Sequence, residues 1–233
     1  MGITAVYASD AALYPYLPMA INSLLVNNPD AKVYVFADDD EVPGIKHPQV
    51  KIINSKVFEG YITPDSPQYS GYYLPKVTFH RLWMADVLEE DRVLWLDVDT
   101  IVDGDLTPIW ETSMGLYLVA GVADRAGHIW RREITDDTYI NAGVLLFNLS
   151  KWRVENMTAR CKEAVNIYQW MYGDQDIINY LCQHRICQLP AEYNVSKVTI
   201  PTDKEPVIRH YADHPKLWEE HDHYWTKYHV TSL

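Results

Sequence analysis

Apolar residues in this chain fall into short runs that alternate with stretches of helical periodicity. Runs of about four to eight apolar residues are typical of strands buried inside a sheet. Between the first two runs, apolar side chains recur every three or four positions from Tyr16 to Asn27, which predicts a helix. This order predicts an α/β domain with a mostly parallel, mixed sheet flanked by helices. The predicted strands cover residues 3–8, 32–37, 50–53, 92–99, 116–122 and 142–149, and further helices cover residues 76–88, 160–170 and 174–184.

The remaining segments complete one domain rather than two. Residues 59–75 are rich in Tyr, Pro, Ser and Gly, which predicts a long loop, and long loops in compact domains often contact ligands. A chain of 233 residues is long enough to bury one large core. We therefore expect a single domain at residues 1–218 and a short C-terminal extension at residues 219–233.

The charge of the chain excludes some partners. The formal net charge is −12 and the sequence pI is near 5.1. A field of that sign repels phosphodiester backbones and anionic lipid headgroups, so we expect no nucleic-acid binding. A single phosphorylated molecule stays compatible with this charge, because a bound metal ion inverts the local sign.

Cysteine content and targeting signals favour the cytoplasm. Three cysteines are an odd and sparse set, which indicates a reducing compartment rather than a disulfide framework. The N-terminus lacks the basic and apolar regions of a signal peptide, and no run of about eighteen apolar residues predicts a membrane span. Asn194-Val195-Ser196 is one of several matches to the N-glycosylation motif, and without a secretory signal we give these matches no weight.

Two aspartates, Asp97 and Asp99, close the apolar run that begins at Arg92. Because strand side chains alternate between faces, we expect both carboxylates on one side, with Val98 on the other. Ligands of open α/β sheets bind beyond the carboxyl ends of strands. A hard divalent cation would relieve the repulsion between the carboxylates and could also bind phosphate oxygens. An Asp-x-Asp pair alone is a weak signal, and ordinary loop acids at a strand end are the alternative.

The segment around these aspartates resembles glycosyltransferase family 8, which contains bacterial lipooligosaccharide galactosyltransferases and glycogenin. Five segments match motifs of that family in the same order and cover nearly the whole chain. The resemblance implies a GT-A fold, which is a Rossmann-like domain that binds a nucleotide sugar. The segments are Val-Tyr-Ala-Ser-Asp at 6–10, Leu-Trp-Leu-Asp-Val-Asp at 94–99, Asn-Ala-Gly at 141–143, Asp-Gln-Asp at 174–176, and Ile-Arg-His-Tyr at 208–211 with Lys216 and Trp218.

The resemblance also implies a divalent metal site and a binding site for a UDP-hexose. It implies that Asp97, Asp99 and His210 bind Mn²⁺ or Mg²⁺, and a mixed oxygen and imidazole set suits Mn²⁺ better than Ca²⁺. Without the resemblance, His210 is a strand-end histidine bonded to backbone, and Lys216 is a solvated surface lysine. The implied donor-binding residues are Ala8, Asp10, Arg81, Asp97, Val98, Asn141, Ala142 and Lys216, and the implied catalytic residues are Gln175, Asp174 and Asp124.

The implied reaction transfers glucose or galactose from a UDP-sugar to a hydroxyl of a saccharide or another acceptor, with retention of configuration. The metal and Lys216 would stabilise the departing diphosphate. Because an amide is a poor nucleophile, we expect attack from the face that UDP leaves rather than a covalent intermediate at Gln175. The leaving phosphate then takes the acceptor proton. Candidate acceptor contacts lie in residues 59–75 and 130–132.

Two alternatives stay open, and departures from the family pattern motivate the first of them. Asp213 stands where the family has Gly, Leu217 replaces a Pro, and Ala11-Ala12 replace Asp-Asn. A carboxylate beside a diphosphate is unfavourable unless it points away or binds the metal. The first alternative is therefore an inactive UDP-sugar-binding protein. The second is a metal-dependent nucleotidyltransferase, which would use a nucleoside triphosphate.

Overall fold

Nine strands in two sheets organise the part of the chain that the structure describes. The computed structural model describes residues 2–69, 76–125, 127, 133–135 and 138–233. The strands are β1 (Thr4–Ser9), β2 (Lys32–Ala37), β3 (Val50–Asn54), β4 (Arg92–Leu96), β5 (Thr100–Val102), β6 (Val119–Ala123), β7 (Ile140–Asn148), β8 (Ile186–Gln188) and β9 (Ile208–His210).

Seven of these strands form one mixed sheet in the order β3-β2-β1-β4-β7-β6-β8. Strands β3, β2, β1 and β4 are parallel to one another, β7 is antiparallel to β4 and β6, and β8 is parallel to β6. The predicted mostly parallel, mixed α/β sheet is therefore confirmed. Because β7 runs antiparallel to β4, its amino end lies beside the carboxyl end of β4. The short strands β5 and β9 form a separate antiparallel pair.

Two apolar cores cover the two faces of the sheet. Val6 and Ala8 of β1 belong to one core, whereas Ala5 and Tyr7 belong to the other, as the alternation of strand side chains requires. Helices after β7 cover the first core, and the helix between β1 and β2 covers the second. The helices are α1 (Leu17–Asn27), α2 (Thr107–Trp110), α3 (Leu149–Val154), α4 (Met157–Ile167), α5 (Asp174–Leu181), α6 (Leu217–Glu220) and α7 (His223–Tyr228).

Two predicted elements next to the site differ from the structure. Residues 76–88, predicted as one α-helix, form the 3-10 helices Lys76–Leu82 and Met84–Asp86. Trp83 separates them because its φ of −130° and ψ of 7° lie outside the α-helical region. The predicted strand 92–99 ends earlier, at Leu96, and the two aspartates lie in the turn that follows.

Other differences are shifts of element ends and short 3-10 turns. The predicted helix 160–170 is α4, which begins and ends three residues earlier. The predicted loop 59–75 contains the 3-10 helix Pro67–Tyr69, and its residues 70–75 lie outside the described part of the chain. Further 3-10 helices are Ser55–Phe58 and Ala191–Tyr193.

The C-terminal residues pack onto the N-terminal half of the molecule. Tyr224 and Tyr228 form a small apolar cluster with Met19 of α1. The backbone N–H of Leu233 donates to the carbonyl of Gly44 over 2.7 Å. The domain boundary expected at residue 218 stays a prediction. No helix within the described residues is long and apolar enough to cross a membrane.

Candidate active site and metal centre

A cavity of about 1050 Å³ opens beside the carboxyl end of β4. Leu96 at this end pairs with Val144 of β7, and the backbone N–H of Asp97 donates to the carbonyl of Gly143 over 2.9 Å. The turn after β4 and the amino end of β7 therefore form one continuous wall of the cavity. This position agrees with the rule that ligands of open α/β sheets bind beyond the carboxyl ends of strands.

Asp97, Val98 and Asp99 form the tight turn between β4 and β5. The carbonyl of Asp97 accepts hydrogen bonds from the backbone N–H of Thr100 at 3.1 Å and from its hydroxyl at 2.7 Å. Val98 is buried in one of the two cores, whereas both carboxylates line the cavity. The turn, rather than strand alternation, is the reason why the two acids face the same space.

His210 reaches the two aspartates through the β5–β9 pair. Thr100 pairs with His210, and the backbone N–H of Tyr211 donates to the carbonyl of Asp99 over 2.9 Å. The Nε2 atom of His210 lies 3.4 Å from Oδ1 of Asp99 and 3.9 Å from Oδ2 of Asp97. Because β5 follows the turn directly, its pairing with β9 is what brings His210 to the aspartates. We call Asp97, Asp99 and His210 the metal centre, because these three side chains could together hold a metal ion.

Gly143 provides the space that the His210 ring occupies. A Cβ atom at Gly143 would lie 2.0 Å from Cε1 of His210 and 2.6 Å from both ring nitrogens. Such distances are far below a van der Waals contact, so any side chain here would displace the ring. The Asn-Ala-Gly motif therefore needs glycine at position 143, because a side chain there would occupy the space of the His210 ring.

The metal centre has the composition of a site for a hard or borderline divalent cation. Its three ligand atoms lie within 4.8 Å of one another. Burial raises the pKa of Asp99, but the attraction of His210 and Lys216 outweighs burial and lowers the pKa to about 2. The carboxylate is therefore ionised at neutral pH and available as a ligand. Two carboxylates and one imidazole fit Mn²⁺ better than they fit Ca²⁺ or a thiolate-seeking metal.

Arg81 connects the metal centre to a further carboxylate, that of Asp174. Its side chain is 3% exposed and pairs with Asp97 at 2.8 Å and with Asp174 at 3.0 Å. It also donates to the carbonyl of Ala142 and lies 4.5 Å from the ring centre of Trp95. Arg81 and the indole N–H of Trp95 both donate to Oδ1 of Asp97, which leaves Oδ2 on the side of His210.

Asp174 is a buried acid with an unusual pKa. Burial raises its pKa to about 6, against the opposing attraction of Arg81, and repulsion from Asp97 adds to the rise. Asp174 is the first residue of α5, and the residue before it, Gly173, is the N-cap. The Asp174 side chain therefore does not act as the N-cap of α5.

Gln175, Asn141 and Asp124 form a hydrogen-bonded group beside the cavity. Oε1 of Gln175 accepts from the backbone N–H of Ala142 at 2.9 Å and from Nδ2 of Asn141 at 3.2 Å. Oδ2 of Asp124 accepts from Nε2 of Gln175 and from Nδ2 of Asn141, both at 3.4 Å. Gln175 and Asn141 line the cavity, whereas Asp124 lies behind them and acts on the cavity through them.

Lys216 lies at the metal centre, with its side chain about a quarter exposed. Its Nζ atom is 2.7 Å from Oδ2 of Asp99 and 2.9 Å from the carbonyl of Tyr211. The neighbouring departures from the family pattern do not enter the cavity. Asp213 is exposed and its carboxylate accepts from the backbone N–H of His214, and Leu217 is buried in the C-terminal apolar cluster.

The residues expected to contact the nucleotide base and ribose lie at the end of β1, apart from the cavity lining. Ala8 is buried and Asp10 is partly exposed, with its Oδ1 accepting from the backbone N–H of Ala12 at 3.1 Å. Because β1 is the parallel neighbour of β4, its carboxyl end faces the same side of the sheet as the metal centre. Ala8, Asp10 and the metal centre are therefore on one edge.

The outer part of the cavity is lined by residues that the sequence did not single out one by one. Gln68 belongs to the predicted loop 59–75, and Gln169, Met171 and Tyr172 lie between α4 and α5. Met171 and Tyr172 are 64% and 47% exposed. We call these four residues the mouth. The other predicted acceptor contacts, residues 130–132, lie outside the described residues.

Sequence reasoning also missed residues that hold the site from behind. Trp95 was read only as part of an apolar strand, although its indole N–H binds Asp97. Asn194 was noted only as part of a glycosylation motif, although it is fully buried and lies 2.9 Å from the ring of His210. No local pattern in the sequence indicates that Trp95 contacts Asp97. None indicates that Asn194 contacts His210.

The seven-stranded mixed sheet flanked by helices matches solved structures that have the GT-A fold. The structure of the galactosyltransferase LgtC in complex with donor and acceptor sugar analogs aligns with 94% of this chain and 90% of its own, at 24% identity and a TM-score of 0.71. The structure of the glycosyltransferase GlyE from Streptococcus pneumoniae aligns with 94% of this chain and 57% of its own, at 25% identity and a TM-score of 0.71. The GT-A fold is therefore confirmed.

The chain belongs to glycosyltransferase family 8, whose sequence profile matches residues 4–222. Among curated relatives, the glycosyltransferase GlyA of Streptococcus pneumoniae serotype 4 is 29% identical over 229 residues, which are 90% of this chain and 32% of GlyA. The glycosyltransferase GlyF of the same organism is 28% identical over 236 residues, which are 91% of this chain and 56% of GlyF. The chain thus spans between about a third and about half of the length of these relatives.

Proposed function

We propose that this chain is a retaining hexosyltransferase that moves glucose or galactose from a UDP-sugar to a hydroxyl of a saccharide or another acceptor, with Mn²⁺ at the metal centre. The observation that carries the proposal is the metal centre itself. In a chain of glycosyltransferase family 8, two carboxylates and an imidazole from distant segments meet within 4.8 Å at the wall of a cavity of about 1050 Å³. That volume is in the range of a site for one nucleotide sugar.

In this proposal, the metal centre and Lys216 bind the diphosphate. A metal ion held by Asp97, Asp99 and His210 would supply positive charge to the phosphate oxygens of the departing UDP. Lys216, now paired with Asp99, is near enough to the same position to turn its ammonium group to the diphosphate. Ala8, Asp10 and Val98 are the proposed contacts of the nucleoside, on the same edge of the sheet.

The donor hexose is proposed to lie against Arg81, Asp174, Asn141, Ala142 and Gln175. Carboxylate and amide groups that line a cavity suit sugar hydroxyls, which both donate and accept hydrogen bonds. Asp124 would hold Asn141 and Gln175 in place rather than contact the sugar. Donor specificity for glucose or galactose then depends on which of these groups meets the hydroxyl that differs between the two sugars.

The hydrogen bonds of Gln175 favour reaction on the face that UDP leaves. Both acceptor positions of its Oε1 are directed at donors, the N–H of Ala142 and Nδ2 of Asn141. An amide is a weak nucleophile, and these bonds weaken it further. In the same-face route, the bond from the anomeric carbon to UDP breaks and a bond to the acceptor oxygen forms. The acceptor proton passes to a phosphate oxygen of UDP, so no protein nucleophile is needed.

The experiment that tests this function is a donor assay followed by an anomeric analysis. The chain is incubated with Mn²⁺ and either UDP-glucose or UDP-galactose, with and without a panel of saccharides, and released UDP is measured. We expect release from one donor, loss of release in EDTA, and an α-linked product by NMR. A β-linked product would contradict retention.

Two outcomes would instead favour the alternatives. Thermal stabilisation by UDP-sugars without any UDP release would indicate an inactive binding protein, since a ligand of the native state raises stability by mass action. Stabilisation by UTP but not by UDP-sugars, with pyrophosphate released, would indicate a nucleotidyltransferase. Asp213, the residue that motivated the inactive reading, is exposed and directed at its own backbone, which favours the active enzyme.

A further inference from the structure

Asn194 is a buried polar residue with no place in the function proposed above. It follows the 3-10 helix Ala191–Tyr193 and has no exposed surface, so its glycosylation motif cannot be used in the folded chain. Its Oδ1 lies 2.9 Å from Nδ1 of His210, and its Nδ2 lies 2.9 Å from Oδ1 of Asn141. Buried amides with two short contacts hold their partners in fixed orientations.

The direction of these hydrogen bonds follows from a backbone group. The N–H of Gly143 lies 3.0 Å from the side-chain oxygen of Asn141, and a backbone N–H can only donate. The atom of Asn141 that faces Gly143 is therefore its oxygen. Its amide nitrogen then faces two acceptors, Asp124 and Gln175, which agrees with the same orientation.

The same reasoning extends to the histidine. Because the oxygen of Asn141 can only accept, Asn194 must present its NH₂ group there, and its own oxygen must face His210. That oxygen accepts from Nδ1, so Nδ1 carries the proton. In a neutral imidazole, Nε2 then carries a lone pair. This lone pair faces the carboxylates of Asp97 and Asp99, at 3.9 and 3.4 Å.

We infer that Asn194 is a positioning residue that holds His210 in the Nδ1–H tautomer, with Nε2 directed as a ligand into the metal centre. Three acceptor atoms then face one another within 4.8 Å, and a bound cation would relieve their repulsion. The backbone supports the arrangement, since the N–H of His210 donates to the carbonyl of Val195 over 2.9 Å. The metal-binding part of this inference rests on the proposed function, whereas the tautomer does not.

The tautomer is measured first, in the metal-free wild-type chain labelled with ¹⁵N-histidine. Long-range ¹H–¹⁵N NMR at about pH 9, where imidazole is ordinarily neutral, distinguishes protonated from unprotonated ring nitrogens. The His210 signals are identified by their loss in His210→Gln. We expect a protonated Nδ1 and an unprotonated Nε2. The Nε2–H tautomer in the wild type would overturn the inference, and this result needs no Asn194 variant to fold.

The second measurement separates the role of Asn194 from general stability. Asn194→Ala removes the acceptor, and Asn28→Ala removes a buried asparagine with a similar number of hydrogen bonds at the C-terminal end of α1. Mn²⁺ affinity is followed by the EPR signal of the free ion. Residues that bond to a metal-binding histidine from behind are typically worth about 10–100-fold in metal affinity. We expect a loss of this size in Asn194→Ala, together with a mixture of the two His210 tautomers. We expect no loss of Mn²⁺ affinity in Asn28→Ala.

Two results would separate the inference from the proposed function. If Asn194→Ala kept the wild-type tautomer and lost no more Mn²⁺ affinity than Asn28→Ala, Asn194 would have no positioning role. If the wild type showed the Nδ1–H tautomer but bound no Mn²⁺, the proposed metal centre would fail, while the hydrogen-bond chain from Asn141 through Asn194 to His210 would stand.

Discussion

The metal centre and the mouth share one cavity but are built in opposite ways. Asp97, Asp99 and His210 come from a turn and a strand that pair through the backbone, and each side chain contacts at least one buried or half-buried partner. Met171 and Tyr172 of the mouth are largely exposed and follow the end of α4. The centre is therefore fixed by the fold, whereas the mouth depends on surface side chains.

On the proposed function, this contrast predicts different tasks for the two regions. Charge stabilisation at a departing diphosphate requires groups that are held in place before the reaction, because reorganising them would add to the barrier. Recognition of an acceptor can be achieved by exposed side chains on loops, which change without disturbing a core. We therefore expect variants of the centre to affect every reaction of the chain, and variants of the mouth to affect only transfer to an acceptor.

The largest effect is expected from Asp97→Asn and Asp99→Asn. Each replacement keeps the shape of the side chain but removes a negative charge from the metal centre. Loss of metal-assisted charge stabilisation, about 4 kcal/mol, corresponds to a fall of about 1000-fold in the rate of UDP release. The measurements are the initial rate with UDP-hexose and the Mn²⁺ affinity. Asp103→Asn is the matched control, because Asp103 follows β5 and pairs with Lys227 outside the cavity.

Rates of the two variants within tenfold of the wild type would show that the metal centre is not where the diphosphate binds. The contrast between centre and mouth would then lose its chemical meaning. A fall in Asp103→Asn of the same size would show instead that these changes act through stability.

The three residues of the metal centre could be predicted from the sequence, but the two aspartates and the histidine were found by different kinds of signal. Asp97 and Asp99 follow an apolar strand, so a local pattern places them at a ligand-binding edge. His210 has no such local signal, and only the resemblance to a family assigned it. Its approach depends on the pairing of β9 with β5, which are separated by more than a hundred residues, and such pairings are not encoded in local periodicity.

The parts that sequence could not supply are those that depend on tertiary contacts. The apolar spacing of residues 76–88 suits a helix, but local patterns do not distinguish an α-helix from 3-10 segments interrupted at Trp83. Asn194 contacts Asn141, 53 positions away, and its own neighbours in sequence form only a glycosylation motif. Only Gln68 of the mouth lies in a segment that the sequence singled out, and no local pattern marks the residues between α4 and α5, because surface loops have few packing constraints.

Asp174 predicts a dependence of stability on pH in the metal-free chain. Burial raises its pKa from 3.8 to about 6, so between these values the folded state holds a proton that the unfolded state releases. Stability therefore falls as pH rises through this window and is level above it. Relative to Asp174→Asn, the free energy of unfolding of the wild type should fall by about 2 kcal/mol between pH 4 and pH 6, which is most of the roughly 3 kcal/mol that the whole shift is worth at 1.36 kcal/mol per pKa unit.

Urea unfolding in EDTA at several pH values measures this difference. Asp105→Asn is a control of opposite sign, because the hydrogen bond from Thr107 lowers the pKa of Asp105, and its contribution is lost as pH falls. Parallel pH curves for the wild type and Asp174→Asn would contradict the raised pKa. Asp174 would then be an ordinary ionised partner of Arg81.

A smaller effect is expected from Gly143→Ala. The added Cβ would lie 2.0 Å from Cε1 of His210, so the ring must leave its present position beside the aspartates. We expect Mn²⁺ affinity to fall by about 10–100-fold, similar to the loss of a residue that orients a ligand.

In Gly121→Ala, the new Cβ meets only the apolar side chains of Ile140 and Leu145 at 2.8 Å. That variant should lose stability, about 1–3 kcal/mol, but keep its metal affinity. Equal metal affinity in both variants would show that the position of the ring does not matter.

The smallest effect is expected at the mouth. Tyr172→Ala and Met171→Ala remove exposed apolar surface beside the cavity, and contacts of this kind are worth about 0.5–1.5 kcal/mol, or up to about tenfold in affinity. We expect the KM for the saccharide acceptor to rise by that factor, with no change in UDP release in the absence of acceptor.

Tyr117→Ala is a matched control, because Tyr117 is 39% exposed and precedes β6 at the end of the β6–β7 pair away from Asn141. If the mouth variants slowed acceptor-independent release as much as they slowed transfer, the mouth would be part of the donor site, and the division between a fixed centre and an adaptable rim would be wrong.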